Sequence, residues 1–283
     1  MIITTLDGKE WDKKDLIKQM DSDEFYYGYL GENCLSSSAI KQMYKQGSWN
    51  YEPVKESPAL RDGRLIHLMT LEPNRIKDYI FTGGTRASKL YKELLTKLSP
   101  ELVYTVSEFN RCDNIASAVR LDFEAFDVMH KAKFEIPEIQ MIEGLPVRGK
   151  ADILGDGFIA DLKTTSDISR TDEAVLHWSY DIQGALYCDL FGLDNFTIIW
   201  VDKKTLEVKV QEFTPQQLEE GREKYLESIG YPNRHKEGCL LMKPNFLYKP
   251  TDFSIEWYKY PLRDSCSNRK ITLNEFKSII DNL

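Results

Sequence analysis

The sequence predicts an α/β protein with a mixed central sheet flanked by helices. Apolar residues recur at helical spacing through the first half of the chain. They switch to alternation across "EIPEIQMIE", "PVRGKADIL" and "GFIADLKTT", then return to helical spacing in "DEAVLHWSYDIQGALYCDLFG". Two more strand-like runs follow, "FTIIWVD" and "TLEVKVQEF", joined at "KKT". Helices, three strands, a helix and two strands in that order suggest one α/β domain.

Residues 1–33 read as an N-terminal extension, with a short helix near Lys13–Met20 and then the aromatic, acidic "DSDEFYYGYLG". A helix begins in "LSSSAIKQMYKQ", where Ser36 is the candidate N-cap and Ile40, Met43 and Tyr44 share a face. After the loop "GSWNYEPVKES", Pro58 starts a helix and Pro73 stops it. A Gly-Gly loop leads into the basic helix "TRASKLYKELLTKL". "SEFNRCDNIASAVRLDFEAFDVMHK" then reads as one long helix with Ile115, Val119, Leu121 and Phe126 among its apolar positions. The helix after the three strands ends at Gly192, and another runs from Pro215 to Gly230. Residues 34–230 thus form the expected core. Residues 231–283, with a strand candidate "FSIEWYKY" and a helix "LNEFKSIIDNL", read as an extension packed on it.

The 283 residues, 42% apolar and 29% charged, suit a soluble globular protein with a substantial core. No apolar run approaches the roughly 18 residues that span a bilayer, so the expectation is a cytoplasmic protein without membrane contact. Five cysteines are widely spread with no C-x-x-C pair, which indicates neither zinc nor a disulfide framework. A net charge of −8 argues against nonspecific adhesion to nucleic acid. It leaves a nucleic-acid enzyme open, because a metal site needs carboxylates and a narrow basic track can sit inside an acidic total.

The stretch "VRGKADILGDGFIADLKTT" concentrates charge in a single hairpin. Asp156-Gly157 is a two-residue turn signal; it pairs Leu154 with Ile159 and sets Asp152 opposite Asp161, and Lys150 opposite Lys163. Alternation puts Arg148, Lys150, Asp152, Asp161 and Lys163 on one side of the sheet. Two carboxylates at such a separation repel by about 1 kcal/mol in water and several-fold more when partly buried. Solvent exposure, the nearby lysines, one raised carboxylate pKa or a bound divalent cation would each offset that. Glu138 on the preceding strand, His67 between Ile66 and Leu68, and Gln183 and Tyr187 on the following helix are further polar candidates.

Asp, a short hairpin, Asp-x-Lys and a Gln on the next helix resemble the PD-(D/E)XK nuclease superfamily. The pattern is similar in particular to the exodeoxyribonuclease VIII type of phage recombination exonucleases, relatives of lambda exonuclease. "LSSSAI", "DGRLIHLMTLEP", "DLKTTSD" and "YDIQGALYCDLFG" match family segments in order, over about Leu35 to Ile229. Ala151 stands where the family often has a proline that shapes the strand. The cysteines of the iron–sulfur branch are absent, so no cluster is expected.

The resemblance implies that Asp152, Asp161, the Leu162 carbonyl and His67 hold Mg²⁺ or Mn²⁺, and that Glu138 holds a metal-bound water. It implies that Lys163 stabilises the transition state, Gln183 positions the nucleophile or a phosphate, and Tyr187 packs beside Gln183. Ser36, Ser38, Arg61, Arg64, Arg86, Lys89, Arg148 and Lys150, with Tyr187, are candidate DNA or phosphate contacts. The implied activity is resection of linear double-stranded DNA from a 5′ end, in a bacterial host and from a phage or prophage gene. A homo-oligomeric ring and a single-strand annealing partner belong to the same implication. An endonuclease or single-strand nuclease on this core, or a non-catalytic module that binds DNA ends, are the alternatives.

Overall fold

The computed structural model describes residues 1–47 and 57–230. The expected strand "FSIEWYKY", the terminal helix and the packing of residues 231–283 lie outside the described residues, as does most of the loop before Pro58. The chain divides into two units, Met1–Ser37 with Tyr51–Arg222, and Ser38–Asn50 with Glu223–Leu283. In chain order the elements are β1 (Ile2–Thr4), β2 (Glu10–Asp12), α1 (Lys13–Gln19), a π-helical turn Glu24–Tyr29, α2 (Leu30–Asn33), α3 (Ser37–Gln46) and α4 (Pro58–Leu71). There follow β3 (Ile80–Thr82), α5 (Lys89–Leu95), β4 (Val103–Thr105), α6 (Val106–Leu121) and α7 (Phe123–Met129). The rest comprises β5 (Lys133–Ile142), β6 (Leu145–Leu154), β7 (Ile159–Thr165), α8 (Thr171–Trp178), α9 (Tyr180–Phe191), β8 (Phe196–Asp202), β9 (Val208–Glu212) and α10 (Pro215–Ser228). In the second unit, α3 carries Tyr44 exposed rather than on the buried face the spacing predicts.

The first unit is built on a five-stranded sheet in the order β5-β6-β7-β8-β9. All neighbours are antiparallel except β7 and β8, which run parallel because α8 and α9 carry the chain across between them. The expected mixed sheet is therefore present. On one face α4 and α6 pack Leu65, Met69, Ile115 and Val119 against Ile153, Ala160, Leu162 and Ile199. On the other, Val175, Tyr187 and Cys188 of α8 and α9 cover Ile159, Phe196, Ile198 and Trp200. β8 is buried at every position, which explains its unbroken apolar run.

Local chemistry sets most boundaries. Ser57 caps α4 by accepting from the Leu60 N–H, with Pro58 as its first residue. Thr105 and Glu108 form a reciprocal capping box at α6. The long helix expected after it breaks at Asp122, whose backbone turns extended and whose carboxylate accepts from the Ala125 N–H to start α7. Leu121 and Phe126, placed among the apolar positions of a continuous helix, are consequently exposed. A similar break separates α8 from α9, where Ser179 takes a left-handed φ of 53°.

Residues 1–33 are an integral part of the first unit. Ile3, Leu16, Met20, Tyr26 and Leu30 form a core with Ile139 of β5. Leu35 continues this attachment: its N–H donates to the Pro146 carbonyl at 2.9 Å, and its carbonyl accepts from the Arg148 N–H at 2.8 Å.

That attachment matters because β6 and β7 part company. Leu154 pairs with Ile159, as the turn predicts, and Ile153 with Ala160, but there the ladder ends. Beyond the fork, β5 holds one edge of β6 and Leu35 bridges the other at Val147. Side-chain alternation is also reset at Asp152. Ile153 faces the α4/α6 layer and Ala151 the α9 layer, although residues two apart on a regular strand share a face. Across from Asp152, Glu135 adopts φ 53° and interrupts β5 at the same level. The charged residues of the hairpin therefore do not form the single continuous face that strict alternation predicts.

The helices over the sheet approach so closely that one glycine is required. A Cβ at Gly221 would run into the backbone carbonyl of Asp181 in α9. Alanine normally stabilises a helix interior by roughly 1 kcal/mol over glycine. Here overpacking reverses the sign, and Gly221→Ala is expected to cost about 2 kcal/mol in urea unfolding; an unchanged or raised midpoint would refute this contact.

Candidate active site

His67, on the inward side of α4, and Asp152, at the fork, meet at 3.3 Å between Nδ1 and Oδ2. The same Asp152 oxygen accepts the Leu162 N–H at 3.0 Å. Glu135 completes the group: one ligand-capable atom each from His67, Glu135 and Asp152 lie within 4.8 Å of one another. Burial, then the charge of Asp152, pushes the Glu135 carboxyl up to about 8. Burial, then Asp161, also holds Asp152 above the usual carboxylate range, against the opposing pull of His67 and Lys163. Two half-buried acids that resist ionisation stand beside an imidazole, an arrangement that a positive charge would favour.

Asp161 stands next to this trio and is 2% exposed. Gln183 of α9 donates to its Oδ1 at 2.6 Å. Its Oδ2 forms an ion pair with Lys163 but accepts no aligned hydrogen bond. Burial disfavours the Lys163 ammonium, but Asp161 and Asp152 outweigh burial and raise its pKa, so the side chain stays charged. Lys163 also approaches the ring of Tyr180, 5.4 Å from its centroid.

These donors suit a divalent cation. Three carboxylates with one imidazole fit Mg²⁺ or Mn²⁺, since hard oxygens dominate and one nitrogen is better tolerated by Mn²⁺. The raised pKa values of Glu135 and Asp152 fall where a bound cation would favour their ionised forms.

A model of the "PDDEXK-like domain of unknown function" matches residues 29–238. The chain belongs to the PDDEXK-like family. No curated protein matches it in sequence. Among solved structures it is similar to a "putative exonuclease" from Eubacterium rectale, at 18% identity and a TM-score of 0.57, over 89% of this chain and 94% of that one. A phage-related exonuclease from Haemophilus somnus 129PT aligns at 12% identity over 73% of this chain and 85% of its own, with a TM-score of 0.35, too low to weigh. The first likeness supports the fold.

Several residues read from sequence sit elsewhere in this PDDEXK-like unit. Glu138 pairs in register with Gly149 and is held by Lys13 at 2.8 Å and by the Ile139 N–H. The carboxylate that reaches the cluster is Glu135, because its left-handed backbone shifts the alternation of β5. Counting back from the Glu143–Gly144 turn, where both residues have positive φ, sets residue 135 across from residue 152, so the register did contain this signal. Leu162 meets Asp152 through its amide, whereas the resemblance assigns a role to its carbonyl.

The candidate DNA contacts divide sharply. Arg61 is buried, donating to the Pro100 and Val103 carbonyls and lying over the Tyr104 ring. Arg148 is buried too, donating to the Leu30 carbonyl with its guanidinium over Tyr26. Both build the fold and cannot face a duplex. Tyr187 is enclosed, and its hydroxyl donates to the Lys150 carbonyl at 3.2 Å. Arg86 is paired with Glu108, and Lys150 with Asp23 at 3.5 Å. Arg64 forms a long ionic contact with Glu101 at 3.9 Å, and exposed Lys89 forms one with Glu93 at 3.8 Å. Ser36 directly precedes α3, and Ser38 lies in the first turn of that helix in the second unit.

Raised carboxylate pKa values fix a sign. Folding holds the Glu135 proton between its ordinary value and about 8, so the folded state binds more protons than the unfolded chain there. Stability of the metal-free protein is full at low pH in this window and falls as pH rises from about 5 to 8. Thermal melts in chelator should show that decline, Mn²⁺ should reverse it, and Glu135→Gln should flatten it. A wild-type midpoint independent of pH and metal would contradict the arrangement.

Proposed function

We propose that the protein is a divalent-metal-dependent deoxyribonuclease that resects linear double-stranded DNA, working 5′ to 3′. The observation that carries the chemistry is the convergence of His67, Glu135 and Asp152 beside Asp161, Lys163 and Gln183 at the β6–β7 fork. His67, Glu135 and Asp152 would hold Mg²⁺ or Mn²⁺, with a further oxygen from Asp161 beside them. When bound, the cation lowers the pKa of an attacking water and offsets charge on the scissile phosphate.

The side chains have separate tasks. Lys163 remains an ammonium and donates to phosphate oxygens as negative charge grows there. Its raised pKa makes it a poor general base. Gln183 fixes the rotamer of Asp161, which in turn holds Lys163 by ion pairing. Because Glu135 and Asp152 resist ionisation alone, cation uptake is coupled to proton release, and affinity should rise with pH. Digestion polarity, a ring-shaped homo-oligomer and an annealing partner rest on the sequence resemblance. The protein's own net charge favours topological enclosure of DNA over a broad basic surface.

Substitution separates this reading from a non-catalytic DNA-end module. Lys163→Ala and Asp161→Asn should each lower cleavage by at least about a hundredfold while leaving the fold intact. Glu135→Gln should cost far more activity than Glu138→Gln. Full activity in the Lys163 and Asp161 variants would remove the assigned chemistry.

Substrate form addresses the endonuclease alternative. With Mg²⁺, end-labelled linear duplex should be shortened from its 5′ ends, while covalently closed circles persist. Cutting of circles would reassign the enzyme as an endonuclease, and undiminished digestion in chelator would overturn the metal requirement.

A further inference from the structure

Tyr27 is a large aromatic side chain left 57% exposed, with the Lys150 ammonium 5.9 Å from its ring centroid. It belongs to the π-helical turn Glu24–Tyr29, ahead of residue 29 where the family match begins. Its ring is propped edge-on by buried Tyr26, at 4.9 Å between centroids and 83° between planes. Tyr26 is itself pinned beneath the Arg148 guanidinium. The Lys150 ammonium sits 4.9 Å from the Tyr26 centroid and 5.9 Å from that of Tyr27, and pairs with Asp23. Lys150 is two residues before Asp152 on β6, a separation of about 7 Å along a strand. A single lysine side chain therefore links Tyr27 to the cluster. Burial first, then Tyr26, Asp23 and Glu135, raises the Tyr27 hydroxyl's pKa.

We propose that Tyr27 is a stacking platform for an unpaired nucleobase of the strand being cleaved, held beside the metal cluster by the N-terminal segment. This rests on the nuclease reading above and deepens it. The local charge selects the part of DNA that can dock here. Asp23 and Glu135 are the acidic charges acting at the Tyr27 hydroxyl, and the Lys150 charge is already balanced by Asp23, so a phosphate gains little. A base is neutral and presents a π-face, and stacking on an aromatic ring needs no positive charge. Because every base has such a face, the contact would favour a frayed or single-stranded end without selecting sequence.

The test uses the full chain and duplexes carrying 2-aminopurine in a short single-stranded overhang, one set for each strand polarity. In Ca²⁺, binding to the wild type should quench the probe on one polarity. Tyr27→Ala should lose that quench and raise KM for overhang substrates roughly tenfold, with the loss falling on KM rather than kcat. Tyr27→Phe should restore both. Retained cleavage with unchanged quench and KM in Tyr27→Ala would overturn the platform. Should Tyr27→Ala fail to fold, Tyr27→Trp decides: a kept quench supports stacking, and its loss refutes it. A wild type that neither binds nor cuts DNA would instead overturn the nuclease reading, and this inference with it.

Discussion

The parting of β6 and β7 is the constraint on which the site depends. Two adjacent strands that carry Asp152 and Asp161 at opposed positions would bring like charges together along a paired ladder, which is unfavourable. The ladder stops at Ile153 and Ala160 instead. The opening lets Asp152 turn towards His67 and the Leu162 amide, while Asp161 turns towards Gln183 and Lys163. Each carboxylate thereby acquires its own partners, while burial and the neighbouring Asp161 charge keep the Asp152 pKa raised. The backbone groups exposed by the opening are met by Leu35 and by the Tyr187 hydroxyl, so the fork leaves few unpaired polar groups behind.

The fold was legible wherever a periodic run was long. The five strands of the main sheet, their turns and the helices from Pro58 and Pro215 all follow from alternation, spacing and proline. Short elements were not, because three residues hold no period: β1, β2 and the parallel β3–β4 pair were read as irregular chain. Helix breaks at Asp122 and Ser179 were also missed, since each lies inside an apolar pattern that continues across it. At the site, His67, Asp152, Asp161, Lys163 and Gln183 converge as their order in the sequence suggested. Glu138 was named as the acid of the preceding strand, and Glu135 was not considered, although the turn register sets it across from Asp152; its left-handed backbone has no signature in a glutamate.

Basic residues show a different limit. A sequence records that an arginine is present and not whether its charge is spent. Arg61 and Arg148 have long alkyl stems and flat guanidinium groups, which suit them to bridging carbonyls and covering aromatic rings inside the protein. Their guanidinium groups are therefore committed to the interior of the first unit.

Gly149 shows how this site is kept in register from a distance. Without a side chain, it lets Leu190 and Tyr187 of α9 settle against β6. The Leu190 carbonyl also accepts from Gln140 on β5. One end of α9 is thus moored to two strands, while Gln183, near its other end, reaches Asp161 on β7. The helix spans the fork as a brace of set length and phase. Deleting one residue between Gln183 and Tyr187 would turn one end by about 100° relative to the other. Gly184, Ala185 and Leu186 in that interval are buried, and a side chain at Gly184 would meet the Phe196 ring, so neither length nor volume has slack there.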